Sequence, residues 1–198
     1  RRGRTWHSPP GGLYLSAVLR PKSGVHIVPL MAGLAVAETI RAAAGLEARL
    51  KWPNDVLLCG KKVGGVIAES AWHRDGLGFT VLGIGVNING LLPPTLREAT
   101  TLSSELGEEV DVNRFLDTLL GRLDWYQGLL ETDPTLILGA WRGLSSTLGR
   151  SVEVVADSGE MIRGVAVDVD REGALIVEAG GGRRRVVSGS LRGATIKF

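Results

Sequence analysis

The chain has 198 residues, 44% hydrophobic and 22% charged, with a mean hydropathy of +0.13 and a single cysteine, Cys59. This composition excludes a disordered or fibrous protein, and one thiol excludes both an internal disulfide framework and a cysteine-rich zinc site, so a reducing, cytoplasmic setting is expected. The net charge of +2 is unevenly spread: residues 1–37 hold five bases and no acid, residues 38–150 hold 11 bases and 14 acids, and residues 151–198 hold seven of each. A positive field confined to the N-terminal end suits a small anionic ligand better than a long polyanion, which needs a broad basic face.

Residues 11–20 (GGLYLSAVLR) alternate around Leu13, Leu15 and Val18 and predict a strand leaving the Pro9-Pro10-Gly11-Gly12 turn. A helix is expected next, with Pro29 in its first turn, Ile27, Leu30, Met31, Leu34 and Ala37 on one face, and Gly45 at its end. Four strands follow in the reading, over residues 48–52, 56–58, 63–70 and 79–87. Turns at Pro53-Asn54-Asp55, Cys59-Gly60-Lys61 and residues 73–78 separate them. The longest uncharged stretch, residues 76–96, is broken by glycines, asparagines and Pro93-Pro94, which argues against a membrane span.

Asp111 is placed to cap a helix carrying Phe115, Leu119, Leu123 and Tyr126, and Asp133-Pro134 opens another with Ile137, Ala140 and Leu144. From about residue 149 only short strands are expected, over residues 151–156, 161–168, 174–178, 185–187 and 195–198, a spacing typical of a small barrel. The domain boundary is set near 148. The chain opens with Arg1 rather than Met and shows no signal-peptide core, so it is expected to be a fragment lacking its natural beginning.

Four segments hold candidate chemistry. Arg1-Arg2-Gly3-Arg4-Thr5-Trp6 combines a close-approach glycine with guanidiniums suited to phosphate or carboxylate, although a frayed terminus fits the same residues. Lys51-Trp52-Pro53-Asn54-Asp55 offers oxygen ligands for Mg²⁺, or simply a β-turn. Gly60-Lys61-Lys62-Val63-Gly64-Gly65 lacks the Walker spacing and reads either as a lysine-bearing site or as a hairpin bend. In Val81–Asn89 (VLGIGVNIN) the alternating Gly83 and Gly85 leave room for a ligand or a bulge. His7, His26 and His73 lack metal-ligand spacing, and no serine or cysteine has a nucleophile setting, which disfavours covalent hydrolytic chemistry.

Taken in order, RRGRTW, SPPGGLYLS, KWPND, GKKVGG and GIGVNIN, with Ala99-Thr100-Thr101-Leu102 and the terminal β segment containing Val187-Ser188-Gly189, resemble biotin protein ligase. The resemblance implies an α+β chain. Residues 1–148 would form a mixed-sheet catalytic domain of the biotin/lipoate ligase, class II synthetase-like kind, and residues 149–198 a small Src-homology-3-like β-barrel. It also implies a two-step reaction, in which biotin and MgATP give biotinyl-5′-AMP and the acyl group then passes to a lysine of a biotin carboxyl carrier protein.

By the same resemblance Arg1 and Arg4 belong to a loop closing over the adenylate, and Trp6 lies at the adenine side. Lys62 bridges the biotin carboxylate and the α-phosphate. Gly65, Gly83 and Ile84 line the biotin pocket with backbone. Lys51, Asn54 and Asn87 hold the nucleotide, Asn54 and Asp55 are candidate Mg²⁺ ligands, and Asp55 orients the carrier lysine. The family's loop begins upstream of Arg1, so its first arginine is absent from this chain. A homodimer is compatible with the resemblance, no membrane partner is expected, and nucleic acid enters only if an N-terminal helix-turn-helix precedes the chain. Lipoate or octanoate transfer and a non-enzymatic nucleic-acid-binding module are the alternatives.

Overall fold

The computed structural model describes residues 8–73 and 76–192. The alternating run after the Pro9-Pro10 turn forms β1 (Leu13–Leu19), and the apolar segment beyond it becomes α1 (Val28–Ala44) after a single 3₁₀ turn. Pro29 sits in the first turn of α1, and Gly45 ends it in the left-handed conformation at φ 67°, as expected. Strands β2 (Arg49–Lys51), β3 (Asp55–Leu58), β4 (Lys61–His73) and β5 (Gly76–Val86) follow. They join β1 in a sheet of order β1-β5-β4-β3-β2.

Three helices come next: α2 (Leu102–Leu106), which the sequence reading lacked, then α3 (Val112–Thr132) and α4 (Pro134–Leu144). Asp111 caps α3 by accepting from the Asn113 and Arg114 amides at 2.9 and 3.1 Å, and Asp133 caps α4 by accepting from Thr135 N at 3.1 Å. The remainder forms β6 (Ser151–Ala156), β7 (Met161–Val169), β8 (Leu175–Ala179), β9 (Gly182–Val186) and β10 (Gly189–Arg192), in the order β10-β6-β7-β8-β9. The strand expected over 185–187 thus starts earlier, and the strand beyond it lies at 189–192; the one placed over 195–198 falls outside the described residues. The chain is α+β. All named ladders are antiparallel, and the parallel pairing of the expected mixed sheet is confined to the bridges Leu50–Ser145 and Lys62–Ala99.

The first sheet has two unlike faces. Its inner face, carrying Leu50, Val56, Val66, Leu82, Ile84 and Val86, packs on α1. Large apolar residues were expected on one face of α1, with Ala32, Gly33 and Ala35 permitting close packing on a sheet; the helix is buried almost all round, because α3 and α4 cover the side that the sheet does not. Residues Val25–Ala44 are also long and apolar enough to cross a membrane, but two-thirds of that window is buried inside the protein, as a middle layer of the core should be. Among the described residues no helix covers the outer face, where Tyr14, Val18, Ile67 and Val81 are exposed.

The second sheet is tied to the first region at one corner. Trp52 donates from its backbone N to Thr147 Oγ1 and from its indole Nε1 to Gly173 O, both at 3.0 Å. Gly173 has φ 75° and lies so near α1 that a Cβ there would sit 2.9 Å from Leu30 Cδ1. Arg142 of α4 adds donors to Asp168 Oδ1 and Val169 O, both at 2.6 Å.

Candidate functional site

Strand register gathers the candidate residues on the outer face. Straight across the sheet, Tyr14 pairs with Gly85, Gly85 with Gly65, Gly65 with Asp55, and Asp55 with Lys51. Because successive residues of a strand alternate between faces, these five share the side opposite α1. The next outward row holds Ser16, Gly83 and Ile67. The result is a floor of glycine backbone with a phenol at one end and an acid–base pair at the other.

Lys62 reaches this floor through a bulge. Val56 pairs with Gly64 but Leu57 pairs with Lys62, so Val63 is an extra residue, and its side chain is fully buried. The extra residue shifts the parity of β4, which lets Lys62 and Gly65 share a face although they are three positions apart. The tight turn before it suits such a hairpin, with both Cys59 and Gly60 at positive φ, 50° and 78°. Lys62 Nζ donates to Asp55 Oδ1, and both side chains are partly open to solvent, at 34% and 25% exposure.

The backbone of Lys62 is held on both sides by the segment before α2. Lys62 N donates to Glu98 O at 2.7 Å, and Thr100 N donates to Lys62 O at 2.9 Å. Asn87, only 6% exposed, braces the same segment: its Nδ2 donates to Thr100 O at 3.1 Å, its backbone N donates to Val63 O, and its carbonyl accepts from Leu102 N. Asn54 likewise spends its amide on the fold, with Nδ2 donating to Val66 O at 2.6 Å and its carbonyl accepting from Val66 N at 3.0 Å.

Two kinds of glycine occupy this region. A Cβ on Gly64, on the inner side, would lie 2.9 Å from Gly85 O, so the fold itself requires that glycine. A Cβ on Gly83 would meet nothing closer than 3.9 Å. The fold does not need Gly83 to be bare; a ligand on the outer face would.

Of the residues expected to matter, Lys51, Asp55, Lys62, Gly65 and Gly83 therefore meet on one surface. Ile84 does not present its side chain there: at 3% exposure it points into the core, leaving only its backbone near the floor. Gly85, which the alternation in GIGV had marked with Gly83 as leaving room for a ligand, joins the site, and so does Tyr14, which was not among the expected site residues. Arg1, Arg4 and Trp6 lie outside the described residues.

Among the described residues no three His, Cys, Asp or Glu side chains cluster as metal ligands. Lys62 Nζ donates to Asp55 Oδ1 and Asn54 Nδ2 donates to Val66 O, so a cation at this corner would take Asp55 Oδ2 and Asn54 Oδ1.

Comparison with known proteins adds the chemical context. Residues 1–87 match the Biotin/lipoate A/B protein ligase family, and residues 147–190 match the Biotin protein ligase C terminal domain. The Biotin--[acetyl-CoA-carboxylase] ligase of Paracoccus denitrificans is 34% identical over 195 residues, which are 93% of this chain and 81% of that protein. The Bifunctional ligase/repressor BirA of Bacillus spizizenii is 32% identical over 200 residues, or 96% of this chain and 61% of the relative, so the chain spans about three-fifths of that protein's length. Among solved structures, the biotin protein ligase from Aquifex aeolicus in complex with biotin and ATP superposes with a TM-score of 0.83 at 29% identity, covering 97% of this chain and 83% of that one.

Proposed function

The chain belongs to the biotin protein ligase family, and on that premise we propose that it activates biotin with MgATP and passes the biotinyl group to a lysine of a biotin carboxyl carrier protein. The observation that carries the reading is the bare glycine floor of Gly65, Gly83 and Gly85 beside Lys62, a surface the fold alone does not require at Gly83. It is supported by the similarity to the Aquifex aeolicus structure holding biotin and ATP.

In the first step an oxygen of the biotin carboxylate bonds to the α-phosphorus of ATP, the Pα–O bond to the β-phosphate breaks, and pyrophosphate leaves. Negative charge gathers on the phosphoryl oxygens, and a fixed ammonium facing them stabilises the transition state more than the ground state. Lys62 has that role. The glycine floor lets the backbone approach the acyl chain closely, and Lys51, Asn54 and Asn87 lie toward the nucleotide. Asn54 and Asp55 would hold the Mg²⁺ of MgATP, which would neutralise phosphate charge. Arg1, Arg4 and Trp6 keep their place in the closing loop on the strength of sequence similarity alone.

In the second step the carrier lysine's amine attacks the acyl carbon and AMP leaves with the bonding electron pair. Asp55, beside Lys62 at the same end of the floor, orients that incoming amine. Residues 1–148 form the catalytic part in this reading and residues 149–198 the C-terminal domain. The exposed free thiol of Cys59 suits a reducing cytoplasm.

Mass spectrometry of the protein incubated with biotin and MgATP tests this: biotinyl-5′-AMP and pyrophosphate should form together, and an added carrier domain should gain one biotinyl group. Lys62→Ala should slow adenylate formation about 100- to 1,000-fold, the scale of losing one preorganised charge donor. Undiminished pyrophosphate release by Lys62→Ala would remove Lys62 from the mechanism.

A further inference from the structure

We propose that Glu105, remote from the glycine floor, is a positioning residue for Lys62, a role that rests on the reading of the site given above. Lys62 is gripped through its backbone by the segment before α2, and that segment is tied to this one carboxylate.

The grip is the parallel bridge to residues 98–100. Lys62 N–H donates to Glu98 O and Lys62 O accepts from Thr100 N–H, so any movement of Thr100 is passed directly to the Lys62 backbone. Thr100 is buried, and its hydroxyl donates to Glu105 Oε1 at 2.6 Å. Glu105 thus holds the side chain of the residue whose backbone amide is bonded to Lys62 O.

Helix capping does not account for this carboxylate. Thr101 already caps α2, its Oγ1 accepting from Ser104 N at 3.1 Å, and a reciprocal acidic partner for that cap would stand at position 104, where the chain has serine. Glu105 is one place further on and turns back to Thr100. The hydroxyl of Thr100, and after it the thiol of Cys59, stabilise the ionised form and hold the carboxyl below its ordinary range. The thiol is pushed up in turn, mainly by its bond to the carboxylate. The clamp is the carboxylate oxygen Oε1 with the Thr100 hydroxyl upon it.

Two variants and two readouts test the role. Glu105→Ala removes the acceptor, whereas Glu105→Gln keeps an oxygen for the Thr100 hydroxyl. By hydrogen exchange, the amides of Lys62 and Thr100 should exchange about tenfold faster in Glu105→Ala and return toward wild type in Glu105→Gln. In adenylate formation, measured per active site, Glu105→Ala should lower kcat about tenfold with the KM for biotin and ATP little changed, the pattern of a misplaced transition-state group, and Glu105→Gln should recover most of it. Unchanged exchange at Lys62 and Thr100, or unchanged kcat in an active wild-type background, overturns the positioning role alone. A wild-type protein that forms no biotinyl adenylate overturns the site reading as well.

Discussion

Leu82 and Gly83 are neighbours in β5, yet they belong to different machines. Leu82 points to α1 and is completely buried; Gly83 points away, beside Ser16 and Ile67, with no neighbour that a Cβ would strike. The same contrast runs along the whole sheet. The inner face is filled mostly with branched side chains and supplies the cohesion, whereas the outer face is stripped to glycine at Gly65, Gly83 and Gly85, beside Lys51, Asp55 and Lys62. In the function proposed above, folding sets the residues of one face and ligand binding those of the other, and the alternation of a strand keeps the two demands from competing.

This division can be broken experimentally. Leu82→Ala should cost about 2–5 kcal/mol of stability, through lost transfer energy and the cavity left behind, while biotin affinity measured on the folded protein stays near wild type. Gly83→Val should do the reverse: unchanged denaturant midpoint, but biotin binding by calorimetry weakened about a hundredfold, since a branched side chain stands where the ligand must lie. If Gly83→Val binds biotin as well as wild type does, the floor is not the binding surface.

The smallest effect concerns the helical layer behind the inner face. Tyr126 of α3 donates to Glu38 Oε1 of α1 at 2.8 Å, while Arg122 Nη1 lies 3.2 Å from Glu38 Oε2. Burial first, and then the bond to Glu38, push the Tyr126 phenol well above its ordinary 10.0. A pKa raised on folding stabilises the protein fully below the unfolded value and less as the pH climbs past it, so stability should decline above pH 10. Tyr126→Phe should lose about 1 kcal/mol at neutral pH and should lack that part of the alkaline decline, with adenylate formation unaffected. An identical alkaline slope in urea titrations of the two proteins would show that Tyr126 does not contribute to it.

Much of this arrangement could be read from the residues, because the signals were local. Period-2 alternation marks β1 and β5, Asp111 and Asp133 announce α3 and α4, and Gly45 ends α1. Segments governed by distant contacts were not legible. The five residues of α2 are too short to show a period, and they form a helix because Thr101 caps them and Leu102 is buried. The all-round burial of α1, which ends at Ala44, depends on two helices that begin only at Val112 and Pro134. At the site, Lys62 and Gly65 stand an odd number of positions apart, and simple alternation would have put them on opposite faces; only the bulge at Val63 reunites them. The grouping of motifs was apparent from resemblance, but the row from Tyr14 to Lys51 needed the register of four strand pairs.

The most direct test is a crystal structure with a non-hydrolysable analogue of biotinyl-5′-AMP. The account predicts the acyl chain lying over Gly83 and Gly85 on the outer face, with the phosphate mimic beside Lys62. An analogue seated elsewhere, for example in the groove between α1 and α4 lined by Leu34, Glu38, Arg41 and Ala140, with Gly83 and Lys62 untouched, would contradict it.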